Sequence, residues 1–126
     1  IAPDANTAID IRGNTYTPTL TGVANVAAST AAALVYVRSG QVVTVFGSLQ
    51  LDVTSAGANT ELGISLPIAS DFASADDCGG TASAINGVNE AYAIRADATN
   101  NRATMLGFAV AAANHTLAIH FSYKIM

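Results

Sequence analysis

The chain is short of charge. Asp, Glu, Lys and Arg together make up 11% of its 126 residues, less than half the share usual in a globular domain. The five basic residues, Arg12, Arg38, Arg95, Arg102 and Lys124, stand singly, and the formal net charge is −4. Binding to nucleic acid needs clustered Lys and Arg to neutralise phosphates, so that class is excluded. A single cysteine, Cys78, rules out an internal disulfide framework and reads as a small buried hydrophobe. The longest apolar run, residues 31–37, falls far short of the ~20 residues of a membrane-spanning helix, so no membrane insertion is expected. No basic segment leading into an apolar stretch, the mark of a signal peptide, opens the sequence. Tryptophan is absent and aromatic residues are 6%, which leaves few of the flat platforms that sugar-binding sites use.

What is present is apolar and small. Hydrophobic residues are 51% of the chain, and about one residue in five is Ala. The length suits one domain with one core. A chain of this size with so little charge is expected to have part of its surface covered by another chain.

The hydrophobic pattern has period two. Leu117, Ile119, Phe121, Tyr123 and Ile125 alternate with Thr116, Ala118, His120, Ser122 and Lys124, as a strand does with one face on a core. Val43, Val45, Gly47, Leu49, Leu51 and Val53 share one face of a long strand. It is preceded by Val35 and Val37 and a Ser39-Gly40 hairpin turn. Within it, Gly47 marks a bulge or a close approach. Leu62, Ile64 and Leu66 define a strand ending at Pro67. Residues 67–80 form the longest irregular stretch, followed by a strand at Thr81–Ile85. Asn86-Gly87 is a strong hairpin signal leading to a strand around Tyr92 and Ile94. Asn100-Asn101 turns into a strand with Leu106, Phe108 and Val110 on its core face, and Asn114-His115 turns into the last strand.

Near the start, Tyr16, Pro18 and Leu20 alternate with threonines, and Pro18 restricts that strand to an edge or to one-sided pairing. The Ala-rich residues 27–33 read as a loop running into a strand. Residues 1–12 lack sustained periodicity and read as an arm with a short strand at Ala8–Arg12, contacting something outside its own domain. Residues 13–126 then form one all-β domain of about eight strands and no helix. That pattern favours a jelly-roll-like antiparallel β-sandwich.

The faces turned away from the core are also small or apolar. Val42, Thr44, Phe46, Ser48 and Gln50 lie opposite the core face of the long strand. Ala103, Met105, Gly107 and Ala109 lie opposite Leu106 and Phe108, and Ala91 and Ala93 beside Tyr92. Water-facing strands carry Lys, Glu or Thr there, so one sheet is expected to pack against another copy. Val42, Phe46, Met105 and His120 are the candidate subunit-interface residues.

Chemistry is sparse. His115 and His120 are the only histidines; five residues apart on a turn-and-strand path, they fall on opposite faces and cannot share a metal. Asp76-Asp77 with Asp71 lacks the spacing of a calcium loop. Glu61, Glu90 and Asp97 sit on separate strands with no readable acid–base pair. Gly79-Gly80 lacks the Lys of a phosphate loop. No catalytic residue, metal site or cofactor is expected. Asp71, Asp76, Asp77, Asn86 and Asn89 are candidate ligand-loop residues for the competing reading, a carbohydrate-binding receptor-recognition module.

One resemblance bears on function. Residues 13–20 (GNTYTPTL) and 23–26 (VANV), then 36–47 (YVRSGQVVTVFG), 61–68 (ELGISLPI) and 121–125 (FSYKI), in this order, resemble a β-rich domain of bacteriophage virion proteins, found at the C-termini of tail-fibre or head-fibre-like proteins. The resemblance implies a trimeric jelly-roll-like domain on a virus particle, without enzymatic activity. Its partners would be copies of itself and other virion proteins; the resemblance implies no particular receptor, and a host-surface glycan is the partner of the competing carbohydrate-binding reading.

Overall fold

The computed structural model describes residues 13–86 and 89–126. Among these, ten strands follow in order: β1 Asn14–Tyr16, β2 Leu20–Ala24, β3 Val26–Thr30, β4 Leu34–Ser39, β5 Val42–Val53, β6 Asn59–Ile64, β7 Cys78–Ala84, β8 Ala91–Asp97, β9 Arg102–Phe108 and β10 Asn114–Lys124. One 3₁₀ turn, Ala75–Asp77, is the only helical element of the described residues. All pairings are antiparallel, and they trace one continuous curled sheet in the order β1-β4-β5-β10-β7-β8-β9-β6-β2, with β3 also on β5. The expected arm, Ile1–Arg12, with its short strand, lies outside the described residues, as does Gly87 of the Asn86-Gly87 turn.

The long alternating strands dominate because their apolar positions are in phase. β5 and β10 pair over eleven positions, from Asn114 opposite Asp52 to Lys124 opposite Val42. Val43, Val45, Leu49 and Leu51 from one, and Leu117, Ile119, Phe121 and Tyr123 from the other, are buried on the inner side. The Gly47 position is a close approach and not a bulge, since the β5–β10 register runs through it unbroken. A Cβ there would sit 2.6 Å from Leu34 Cδ2, so the missing side chain gives Leu34 its place in the core.

β5 changes partner at this point. Its first half pairs with β4, Val42–Phe46 against Ser39–Val35. Its second half pairs with β3, Gln50–Val53 against Thr30–Val26. β2, one residue upstream of β3, pairs instead with β6 at the other end of the sheet. The segment Leu20–Thr30 is thus one bent strand that joins both ends of the curl. The bend is Asn25, at φ 58°, a left-handed conformation that Asn tolerates better than other non-glycine residues. Its side chain holds the corner: Nδ2 donates to Ser55 O at 2.8 Å and Thr60 Oγ1 at 2.9 Å, and Oδ1 accepts from Ser55 N at 2.9 Å. Just upstream, Tyr16 Oη donates to Ser65 O at 3.0 Å, and Thr19 N to Ser65 Oγ at 2.8 Å. β7, β8, β9 and β10 lie in the spatial order β10-β7-β8-β9, that of a Greek key.

Several expectations from the pattern are corrected. The described residues form ten strands, not about eight, because the threonine-rich stretch splits into β1 and β2 around buried Pro18, and residues 26–30 form β3. Alanine is a poor strand former on its own; pairing with β5 overrides that preference. The first hairpin loop is Gly40-Gln41, one residue later, with Ser39 opposite Val42 and Gly40 at φ 61°. β7 begins earlier, at Cys78, and β10 already at Asn114.

The largest correction is in β9, where the faces are inverted. Ala103 and Met105 have no exposed surface, while Phe108 is 68% exposed. The cause is β8: Ile94 points inward opposite Met105, and the ring of buried Tyr92 fills the space beside Gly107, where a Cβ would lie 2.6 Å from Tyr92 Cδ2. A one-residue slip exchanges every face of a strand. Met105 is therefore a core residue and has no surface to offer a neighbouring subunit.

Two measurements check this architecture. Asn25→Ala removes the corner's three side-chain hydrogen bonds and leaves a residue with no preference for positive φ. Chemical denaturation should give a loss of about 2–3 kcal/mol, and Asn25→Gly should lose less because it keeps the backbone angle. Gly80 faces Phe121 across the β7–β10 pair, and a Cβ there would lie 2.6 Å from Phe121 Cα. Gly80→Ala should cost about 3 kcal/mol or more. Gly79→Ala, with nothing within 4 Å, should stay within about 0.5 kcal/mol of the parent.

Candidate functional site

The alternation that buries one side of β5 and β10 turns the other side outward, and there the charge-poor composition becomes a surface. Val35, Phe46, His120, Thr81, Ala93 and Leu106 stand directly opposite one another in sequence across β4, β5, β10, β7, β8 and β9. The row meets its first charge at Glu61 on β6. Flanking rows on the same face add Val42, Thr44, Ser122, Ser48 and Ala118, and they carry two cations, Lys124 opposite Val42 and Arg95 opposite Gly79. Phe46 is 61% exposed, and Val35 and Val42 are close to half exposed. The Phe46 and His120 rings meet edge to face, with centroids 6.4 Å apart. Thr44 Oγ1 and Ser122 Oγ share a hydrogen bond of 3.0 Å. The structure therefore brings Val42, Phe46 and His120 together on one outer face and takes Met105 away from them.

The candidate ligand-loop residues do not converge. Asp77 is buried and turned back on its own loop: Oδ2 accepts from Ala73 N at 2.8 Å and Ser74 N at 3.0 Å, and Lys124 Nζ lies 3.6 Å from Oδ1. The backbone N–H groups of Ser74 and Ala73, with a smaller contribution from Lys124, outweigh burial and hold its carboxyl below the ordinary aspartate value. Asp76 accepts a hydrogen bond from Ser74 Oγ. Asp71 is exposed, with Asn101 Nδ2 at 3.4 Å from Oδ1. Asn86 braces the start of β10, donating to Asn114 O at 3.0 Å and accepting from Thr116 N at 3.2 Å. Asn89 is exposed. Among the described residues no group of three His, Cys, Asp or Glu side chains is placed to hold a metal ion.

An open cleft of about 180 Å³ lies beside this loop, between Asp76, Cys78 and Lys124. Cys78 is buried, and burial pushes its thiol up to about 12, which removes the thiolate that nucleophilic chemistry needs. Tyr123, also on the wall, has its hydroxyl engaged by both Ile68 O at 2.7 Å and Ile68 N at 3.1 Å.

A polar cluster that the sequence reading missed is buried under the β9–β10 crossover. Glu90 accepts from Tyr92 Oη and, at 2.8 Å, from Val110 N. His115 Nε2 lies 2.8 Å from Ala111 O and 3.7 Å from Glu90 Oε2. A carbonyl only accepts, so Nε2 carries the proton, and Nδ1 is buried without a partner. Neither Glu90 nor His115 exposes any side chain, so no substrate reaches them; they tie the crossover and the β7–β8 hairpin to β10. The signal was present in the sequence: His115 continues the inner phase of Leu117, Ile119 and Phe121.

Comparison with protein-family models, with curated proteins and with solved structures finds no match to this chain.

The electrostatics of the two loop aspartates predict the acid response. For Asp97, burial raises the carboxyl but is outweighed by the Asn100 side chain and N–H, by Arg102 and by Thr99 N–H, so it too lies below the ordinary 3.8. A group whose value is lowered by folding contributes stability above its ordinary value, and that contribution is lost as pH falls through the folded value. Urea midpoints measured from about pH 5 to about pH 2 should therefore drop most steeply below about pH 4. Asp77→Asn and Asp97→Asn should each flatten that drop.

Proposed function

We propose that the chain is a non-enzymatic structural domain of a virus particle, a fibre or capsid-decoration element that works as a homo-oligomer. One observation carries the reading: an outward row of uncharged side chains, six strands wide and centred on exposed Phe46 and His120, in a structure whose described buried polar groups are all inaccessible or internally bonded. Such a face resembles the surface left when a subunit is separated from its neighbours. At about 4.8 Å per strand the band is roughly 24 Å wide, and it curves with the sheet. One flat partner covers only part of it, whereas a closed ring places a neighbour on either side.

A second copy is the favoured occupant because it would bring an equally uncharged row against this one. Trimeric assembly and a jelly-roll-like form are the finer expectations. The Greek-key order of β7–β10 supports the second, since jelly rolls are built from Greek keys. The ordered motifs from Gly13 to Ile125 that resemble phage virion domains supply the particle. Asp77 and Asn86 are committed to holding their own loops, which weighs against a glycan site built from them.

Light scattering at micromolar concentration tests the assembly: a defined oligomer, three copies by expectation, supports the reading, and a monodisperse monomer defeats it. Phe46→Glu places an unpaired charge in the contact. It should raise the subunit dissociation constant by about 30-fold or more while leaving the unfolding free energy of the subunit within about 1 kcal/mol of the parent.

A further inference from the structure

We infer that His120 makes the subunit contact acid-labile, so that the assembly loosens when this imidazole takes up a proton. The inference rests on the assembly reading and adds a regulator to it. His120 sits in the middle of the neutral band, between Phe46 of β5 and Thr81 of β7. Imidazole is the side chain whose ordinary charge change falls between about pH 5 and pH 8. Among the described residues no carboxylate stands beside it to compensate that charge.

The outward groups on the strands packed against it are neutral: Thr44, Phe46 and Ser48 on β5, Gly79, Thr81 and Ser83 on β7, and Ala118 and Ser122 on its own strand. Beyond β5, β4 presents Val35 and Val37. Among the described residues the nearest charges by register are both cations. Lys124 is four residues along β10, about 14 Å away at strand rise, and is engaged by Asp77. Arg95 lies on β8, opposite Gly79. The outward carboxylates of the neighbouring strands, Asp52 and Asp97, are at the strand ends. The Phe46 ring, at 6.4 Å and tilted by 60°, is beyond the ~6 Å reach of a useful cation–π contact.

A protonated His120 therefore adds positive charge to a face whose nearest ions are already positive. Covered by a second copy, that charge loses water and gains no partner, and the separated subunits, where the ring is solvated, are favoured.

The experiment is light scattering of the parent, His120→Gln and His120→Lys at about pH 8 and about pH 5, with far-ultraviolet circular dichroism recording at each pH that the subunit stays folded. The expected result is an assembled parent at about pH 8 whose dissociation constant rises by about tenfold or more at about pH 5. His120→Gln should remain assembled at both, and His120→Lys should be dissociated already at about pH 8. A parent that stays assembled at the lower pH, or a His120→Gln variant that dissociates as the parent does, overturns the acid switch and leaves the assembly intact. A parent that is monomeric at about pH 8 instead removes the assembly itself, and the switch with it.

Discussion

Everything else in this fold depends on a corner. A curled antiparallel sheet ends in two edges, each a row of unpaired backbone groups that invites pairing with other chains. Here one bent segment bridges the two sides: its first half pairs with β6 and its second with the latter half of β5, whose first half carries β4 and then β1. The bend is a single residue, Asn25, whose backbone takes the left-handed conformation and whose amide binds Ser55 and Thr60. Without that corner the segment pairs with only one edge, and the inner side chains of β5, β6 and β10 face a gap. The hydrophobic core and the closure are thus one constraint.

Closure also explains where the polar groups went. Residues that need partners collect at the ends of the curl. Asp77 satisfies the loop before β7, Asp97 the β8–β9 turn, and Glu90 with His115 the crossover into β10. Each of these carboxyls or rings makes at least one hydrogen bond to a backbone group that a turn leaves unpaired. The wall between the two ends needs no such help, because ladder pairing satisfies its backbone. Its outer face is free to be small and uncharged along the row from Val35 to Leu106.

The long strands were legible because their alternation is uninterrupted. β5 carries Val43, Val45, Leu49, Leu51 and Val53 in one phase around Gly47, and β10 carries Leu117, Ile119, Phe121 and Tyr123, all buried. Short strands were read less well. In β9 two phases were nearly balanced, Leu106 and Phe108 against Ala103 and Met105, and the larger side chains suggested the wrong one. Only the neighbour settled it, since the Tyr92 ring needs the space at Gly107. The outer residues Val42, Phe46 and His120 followed correctly from the long strands, while Met105 failed with β9. The Glu90–His115 cluster was hidden because its members are 25 positions apart and meet only where a crossover folds over the sheet end.

The sequence by itself determined the class of the fold, the inner and outer faces of its two longest strands, and the scarcity of charge on what lies outside. Those follow from local periodicity and composition, which act within a few residues. Tertiary structure alone decided that the sheet curls back on itself, which strand partners which, the phase of β9, and the joining of Val35, Phe46, His120, Thr81, Ala93 and Leu106 into one neutral row. Such a row is a matter of register between strands distant in the chain, and register is set by the fit of side chains in a shared core.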